Sequence, residues 1–183
     1  MITTLDKNTA LVLIDLQVGI SQYPTITPFK DVVANAAKLV DAFHKAGLPV
    51  VAVNADPRKF AVVRKDQQGN MPPVQDEWLE IIEEVGAGPG DIYVTKGSWG
   101  VFGTTDLDEK LKALGVTGIV LGGVSTSIGV DTTAREANAK GYNVTFVTDV
   151  MTDMSAEAHD YSIKTIFPRI GEIGTTEDVL KLL

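Results

Sequence analysis

The stretch Ala10-Leu11-Val12-Leu13-Ile14-Asp15-Leu16 is a continuous apolar run that a single carboxylate interrupts. A run of this kind is typical of a strand buried on both faces, as in a parallel sheet. Residues 31–46 follow it with apolar side chains at helical spacing, ending at Gly47, and Val50 to Asn54 forms a second apolar run. The stretch therefore predicts the first strand of a strand–helix–strand unit.

The alternation of strand and helix continues along the chain. We expect further strands at Ile92 to Lys96, Ile119 to Leu121, Val144 to Val147 and Gly171 to Gly174. Between them we expect helices: one with Leu107, Leu111 and Leu114 on one face and Thr105 as its cap, one from Gly122-Gly123 to Lys140, one from Ser155 to about Phe167, and a terminal helix. Residues 55–90 form a longer excursion with a short helix-like stretch, Glu77 to Val85, of the kind that covers a substrate.

Strands that alternate with helices imply right-handed crossovers and a parallel sheet covered on both sides. We therefore predict an α/β fold, a three-layer α/β/α doubly wound sandwich with a mainly parallel sheet of about six strands. A length of 183 residues and a hydrophobic content of 44% fit one domain spanning residues 1–183.

Composition narrows the function classes. The net charge is −8, so a nucleic-acid partner would be repelled, and the absence of cysteine removes disulfides and thiolate metal sites. No segment approaches the ~20 apolar residues of a membrane span, and the N-terminus lacks a basic region followed by an apolar run. We expect a cytoplasmic protein that acts on a small molecule and binds neither nucleic acid nor membrane.

Candidate chemistry lies at the carboxyl ends of the strands, where open parallel sheets bind ligands. Asp15 and Lys96 each end a strand, and a buried carboxylate needs a cation or hydrogen-bond donors. The two side chains are natural partners; alternatively, Asp15 braces a loop and Lys96 is solvated. The turn from Gly122 to Gly129 joins a strand to a helix, so its N–H groups are placed to bind an anion.

Other polar and aromatic residues leave two interpretations open. Trp99 and Phe102 form either a pocket wall or part of the core, and Arg58 and Arg64 either pair with an anionic substrate or are solvated. Asp149 is interpreted as a structural cap. His44 and His159 are interpreted as structural residues, because neither belongs to a cluster with metal-ligand spacing, and no metal is expected.

Three motifs in order are specific: Ile14-Asp15-Leu16-Gln17, the run from Lys96 to Phe102, and the run from Gly123 to Ala137. Together they resemble the isochorismatase-like, or cysteine hydrolase, superfamily. The resemblance implies a catalytic triad of Asp15, Lys96 and a cysteine, and the position of that cysteine falls on Gly129. Glycine supplies neither thiolate nor hydroxyl, so the covalent route is removed. In this respect the chain resembles true isochorismatases, which cleave an enol ether without a covalent intermediate and use the aspartate as an acid.

The resemblance also implies the surroundings of the site. Gln17 would orient Asp15, Trp99, Phe102, Ser125 and Thr126 would contact the substrate, and the N–H groups of Ile128 and Gly129 would bind a carboxylate or oxyanion. It further implies no cofactor, a cis peptide at Val124–Ser125, and a homo-oligomer, either a dimer or a tetramer. The zinc-dependent branch carries histidines after the second strand, and residues 54–60 contain none.

Three functions remain open at this stage. The first is metal-free hydrolysis of a small anionic substrate, with cleavage of an isochorismate-type enol ether as one form of it. The second is an amide or imide hydrolase that uses an activated water. The third is a catalytically silent relative that binds a metabolite.

Overall fold

The computed structural model describes residues 2–66 and 73–183. Its centre is a sheet of six strands, all parallel, in the order β3-β2-β1-β4-β5-β6. The strands are β1 (Thr9–Ile14), β2 (Val50–Ala55), β3 (Ile92–Lys96), β4 (Gly118–Val124), β5 (Asn143–Thr152) and β6 (Glu172–Gly174). The predicted six-stranded doubly wound sheet is confirmed. Its strand order reverses between β1 and β4, and ligands bind at such switch points.

Helices cover both faces of the sheet. One face carries α1 (Phe29–Ala46) and α5 (Thr176–Leu180), and the other carries α2 (Leu107–Ala113), α3 (Asp131–Ala139) and α4 (Ala156–Tyr161). Alternate residues of β1 serve the two faces: Leu11 and Leu13 pack with α1, whereas Val12 and Ile14 pack with α2 and α3. Every residue of β1 is buried, in keeping with the continuously apolar sequence from Ala10 to Ile14. No helix of the described residues is long and apolar enough to cross a bilayer.

The excursion after β2 differs from its prediction. Glu77 to Val85 does not form a helix but two short 3₁₀ turns, Asp76–Leu79 and Glu83–Val85. Between them Ile81 pairs with Gln17 in an isolated antiparallel bridge. The backbone of this segment thus bonds to the loop that follows β1, and those bonds compete with the hydrogen bonds of a helix.

The prediction that the strand ends at Gly122-Gly123 is also wrong, because β4 continues to Val124. Gly123 has a φ of 129°, and a Cβ atom there would lie 2.1 Å from the carbonyl oxygen of Ile14. Glycine is therefore what lets β4 approach β1 at the switch point. A single π-helical turn, Thr126–Val130, then leads into α3.

Candidate active site

A cavity of about 500 Å³ opens at the carboxyl end of β1. Asp15, the first residue after the strand, has a φ of 55°, and its N–H donates to the carbonyl of Val53 on the neighbouring strand at 2.8 Å. The unusual backbone places the carboxyl group against the cavity. The wall is largely aromatic and apolar and includes Tyr23, Phe60, Trp78, Trp99, Ile128 and Met154.

Asp15 and Lys96 form the polar floor of this cavity. Lys96 Nζ lies 2.9 Å from Asp15 Oδ2, and the two side chains are 2% and 8% exposed. The same ammonium group donates to the carbonyl of Ser98 at 3.2 Å. Asp15 Oδ1 is buried and has no hydrogen-bond partner among residues 2–66 and 73–183. The predicted pairing of the two side chains is present, and one carboxyl oxygen remains unsatisfied.

Burial and the neighbouring charge act on Asp15 in opposite directions. Desolvation raises the pKa of the Asp15 carboxyl, whereas the charge and hydrogen bond of Lys96 lower it. Burial dominates, and the resulting pKa is about 6. Because Oδ2 accepts from Lys96, a proton on this carboxyl group belongs on Oδ1. The group can therefore act as a proton donor close to neutral pH.

Gly129 lies beside this carboxyl group, within the π-helical turn. A Cβ atom there would be 3.4 Å from Asp15 Oδ2, 3.1 Å from Ile14 Cγ2 and 3.3 Å from the carbonyl oxygen of Val124. A longer side chain at this position would contact Asp15 directly. With glycine, the wall of the cavity is backbone at this point, and the carboxyl group faces no nucleophilic side chain from position 129.

Comparisons with known proteins agree with this architecture. A family model described as the isochorismatase domain matches residues 9–178. The chain belongs to the isochorismatase family. It is 43% identical over 180 residues to the uncharacterized isochorismatase family protein YwoC of Bacillus subtilis, covering 96% of this chain and 94% of that protein. It is 37% identical to the uncharacterized family protein YecD of Escherichia coli O157:H7, with 97% of each chain covered. A solved isochorismatase family structure from Burkholderia thailandensis superposes with a TM-score of 0.94 at 40% identity, covering 98% of this chain and 97% of that one.

Several residues expected at the site of this isochorismatase-family chain do line the cavity. Trp99, Ser125 and Ile128 form part of its wall, and Trp99 is 61% exposed. The Val124–Ser125 peptide bond is cis, as the resemblance implies. The role given to the Ile128 N–H is wrong, however, because that group donates to the carbonyl of Ser125 at 3.2 Å. Ile128 contributes its side chain to the wall instead.

Gln17 does not orient Asp15. Its amide nitrogen donates to the carbonyls of Ala55 and Trp78, and its Oε1 accepts the Ala55 N–H at 2.7 Å. The side chain is completely buried, away from the cavity wall. It therefore ties the end of β2 to the excursion that carries Trp78, and it supports the site only indirectly.

Phe102 and Thr126, predicted as substrate contacts, do not line the cavity. Phe102 is buried and stacks on Tyr142, with ring centroids 5.8 Å apart, so it belongs to the core. The Thr126 hydroxyl is fully buried between the carbonyl of Thr152, at 3.0 Å, and His159 Nδ1, at 2.8 Å. A hydroxyl satisfied by protein groups on both sides has little capacity left for a ligand.

Asp153 is a residue that the sequence analysis missed. It follows β5, is 3% exposed, and its Oδ2 accepts the Ser127 N–H at 2.7 Å. Its Oδ1 accepts the N–H groups of Met154 and Ser155. The start of the π-helical turn, where we expected a substrate anion, is thus already bound by a carboxylate of the protein. Its position at the carboxyl end of a strand beside β4 is the signal that could have identified it.

Neither arginine candidate lines the cavity, and Arg58 and Asp149 have protein partners. Arg58 binds Asp56 through two nitrogens and Asp76 through a third, and it does not line the cavity. Arg64 is exposed and lies outside the wall. Asp149 accepts the N–H and hydroxyl of Thr176 at the start of α5, so its predicted structural role is confirmed.

Within the described ranges, no group of three or more His, Cys, Asp or Glu side chains could hold a metal ion.

Proposed function

We propose that this chain is a hydrolase that acts on a small anionic substrate without metal and without a covalent cysteine intermediate. The observation that supports this most directly is the buried Asp15 carboxyl group with one unsatisfied oxygen. It lies in a cavity beside Gly129, the position to which the family resemblance assigns the nucleophile. Since the whole chain lacks cysteine, a thioester intermediate is unavailable.

Cleavage of an enol ether fits a proton donor in this position. Asp15 Oδ1 transfers its proton to the terminal carbon of the substrate's C=C bond, which leaves an oxocarbenium ion. Water adds to that ion and returns one proton to Asp15, and the hemiketal then collapses to an alcohol and a ketone. The sum is the consumption of one water molecule, with the carboxyl group regenerated. An enolpyruvyl ether would release pyruvate by this route.

Lys96 has two tasks in this mechanism. It remains hydrogen-bonded to Asp15 Oδ2 whether the carboxyl group is protonated or ionised. Oδ1 is therefore the oxygen that carries the proton. It also places a positive charge at the floor of a largely apolar cavity, where a substrate anion interacts more strongly than it would in water.

The ionised form of Asp15 supports a second candidate function. With a pKa of about 6, Asp15 is mostly a carboxylate above that pH and could instead activate a water molecule as a general base. That chemistry would suit an amide or imide. The two candidates require opposite protonation states of the same side chain, so the pH dependence of the reaction separates them.

A substrate panel on the purified protein tests the proposal. The enol ether 2-phenoxyacrylate would release pyruvate and phenol, and small amides such as phenoxyacetamide would release ammonia. We expect pyruvate release, lost in Asp15→Asn. Ammonia release alone would favour the water-activating hydrolase, and release of neither product by any member of the panel would favour the catalytically silent relative.

A further inference from the structure

We infer that the cavity accepts a substrate with a single carboxylate on an otherwise uncharged, apolar body, and that binding of this carboxylate beside Lys96 brings a proton onto Asp15. The inference deepens the proposed function, because it names the substrate class for the same site. It rests on the charges that the cavity offers and on the hydrogen bonds already made by its floor.

The cavity wall carries few charges. Among its described residues, the ionisable side chains are Asp15, Tyr23, Lys65 and Lys96. Asp15 and Lys96 pair with each other at the buried floor, whereas Tyr23 and Lys65 are exposed. An exposed lysine is worth little to a bound anion, because water and salt screen it. Arg58, which we considered as a partner for an anionic substrate, is held by two aspartates instead.

The elements packed around the floor supply no further charge to the cavity. Asp56 at the end of β2 is paired with Arg58, and Asp153 after β5 is occupied by three N–H groups. His159 on α4 contacts Thr126, and neither His159 nor Asp153 lines the wall. The π-helical turn contributes Ile128 and Gly129, which do not titrate. A second substrate carboxylate would lie against apolar side chains without a buried cation, which is strongly unfavourable.

Lys96 can accept one carboxylate beside Asp15. An ammonium group has three N–H donors, and the described residues account for two, with Asp15 Oδ2 and the Ser98 carbonyl as acceptors. Lys96 lines the cavity, so a ligand carboxylate can take the remaining hydrogen bond. Two anions would then share one cation in a poorly solvated site.

The protonation of Asp15 follows from the repulsion between these two anions. A like charge nearby disfavours the ionised carboxylate, and burial already raises the pKa of Asp15 to about 6. Binding of a monoanion should therefore raise this pKa through neutral pH, and the complex takes up a proton from the solvent. The acid form that enol-ether cleavage requires would be produced by the substrate itself.

Binding of non-hydrolysable probes to the wild-type protein tests this inference by calorimetry. The probes are 2-phenoxypropanoate, a monoanion, the uncharged alcohol 2-phenoxypropan-1-ol, and the dianion 2-(3-carboxyphenoxy)propanoate. Titrations at about pH 7.5 in two buffers of different ionisation enthalpy give the number of protons taken up. We expect the monoanion to bind at least about tenfold more tightly than the other two, with a net uptake of protons by the complex.

Two variants identify the group that takes up the proton. Asp15→Asn should retain monoanion binding and lose proton uptake, because the amide cannot titrate. Asp41→Asn, a matched change on an exposed carboxylate of α1, should leave both unchanged. A Lys65→Gln variant should alter the affinity for the monoanion by less than about threefold, because that lysine is screened by solvent.

Each contrary outcome overturns the inference. These are failure of the monoanion to bind, binding without proton uptake, equal affinity for the dianion or the alcohol, and loss of affinity in Lys65→Gln. Since the probes cannot be hydrolysed, the result is independent of turnover. The protein could bind the monoanion with proton uptake and still hydrolyse no member of the substrate panel. That result would reject the proposed hydrolase function and leave the binding inference intact.

Discussion

Lys96 Nζ lies 2.9 Å from Asp15 Oδ2, and both side chains are almost completely buried. Removing two charges from water costs several kcal/mol for each ion, and one short ion pair recovers that cost only if the remaining polar atoms are satisfied. Asp15 Oδ1 is not satisfied within the described residues. The pair is therefore poorly arranged for stability and well arranged to hold a carboxyl group near its point of ionisation.

The pH dependence of kcat/KM should report this carboxyl group in the free enzyme. Burial raises its pKa from 3.8 to about 6, and a proton donor works only while protonated. Between about pH 5 and 8, kcat/KM for the enol ether should therefore be flat below the pKa and fall about tenfold per pH unit above it. A rate that rises through the same range would show that Asp15 acts as a base.

Replacing Lys96 by methionine should move that profile. Lys96 lowers the pKa of Asp15, so its loss leaves the effect of burial unopposed and shifts the falling limb to higher pH. The substrate carboxylate also loses its cation, so the plateau of kcat/KM on the acid side of the limb should be lower. Lys110→Met serves as the control, because Lys110 forms an exposed pair on α2. A falling limb that stays in place would show that Lys96 does not act on this titration.

Gly123→Ala should destabilise the sheet at its switch point. The new methyl carbon would meet the carbonyl oxygen of Ile14 at 2.1 Å, in a backbone conformation that L-residues rarely adopt. We expect a loss of more than about 3 kcal/mol in the free energy of unfolding, or failure to fold. Gly141→Ala is the matched control: its φ is 87° but nothing lies within 4 Å, so denaturant titration should give a loss of only ~1–2 kcal/mol.

Gly129→Ala tests how closely the cavity wall packs against Asp15. Its methyl carbon would lie 3.1–3.4 Å from Ile14, Val124 and Asp15, so the neighbours must move slightly. We expect a stability loss of ~1 kcal/mol and a lower kcat/KM, because the methyl group crowds the acid. Gly88→Ala, in open space, should change neither. An unchanged kcat/KM in Gly129→Ala would show that this part of the wall does not approach the substrate.

The sequence predicted those features that depend on local pattern. The apolar run of β1 indicated a strand buried on both faces, and the strand ends indicated the Asp15–Lys96 pair. Trp99 and Phe102 show the limit of such reasoning. They lie three residues apart in one motif, yet Trp99 lines the cavity and Phe102 packs on Tyr142, a contact between residues 40 positions apart. The direction of a loop side chain is decided by such distant partners.

Polar residues were harder to place for the same reason. Gln17 was expected to orient Asp15, but its partners are backbone groups of residues far along the chain. Asp153 was missed because its role depends on the N–H of Ser127, 26 residues earlier. The homo-oligomer and the cytoplasmic location stay predictions.

The contrast between Asp15→Asn and Ser127→Ala is the sharpest test of a non-covalent mechanism. The asparagine keeps the shape of the side chain and removes the transferable proton, and positioned acid–base catalysis contributes ~100- to 10,000-fold in rate. Ser127 is the hydroxyl nearest in sequence to Gly129, the position that corresponds to the family's cysteine. In the structure its N–H is bound to Asp153 and its side chain does not line the cavity, so Ser127→Ala should retain most of the activity.

Ser125 provides a second hydroxyl for comparison. It does line the cavity, but its hydroxyl donates to the sulfur of Met154 at 3.4 Å rather than to a base. Ser125→Ala should therefore reduce activity only modestly. If either serine were the nucleophile, its removal would cost at least as much as the loss of Asp15, because members of one catalytic unit fail together. A covalent adduct on Ser125 or Ser127 by mass spectrometry would replace the non-covalent mechanism, and full activity in Asp15→Asn would remove the proton donor on which the mechanism depends.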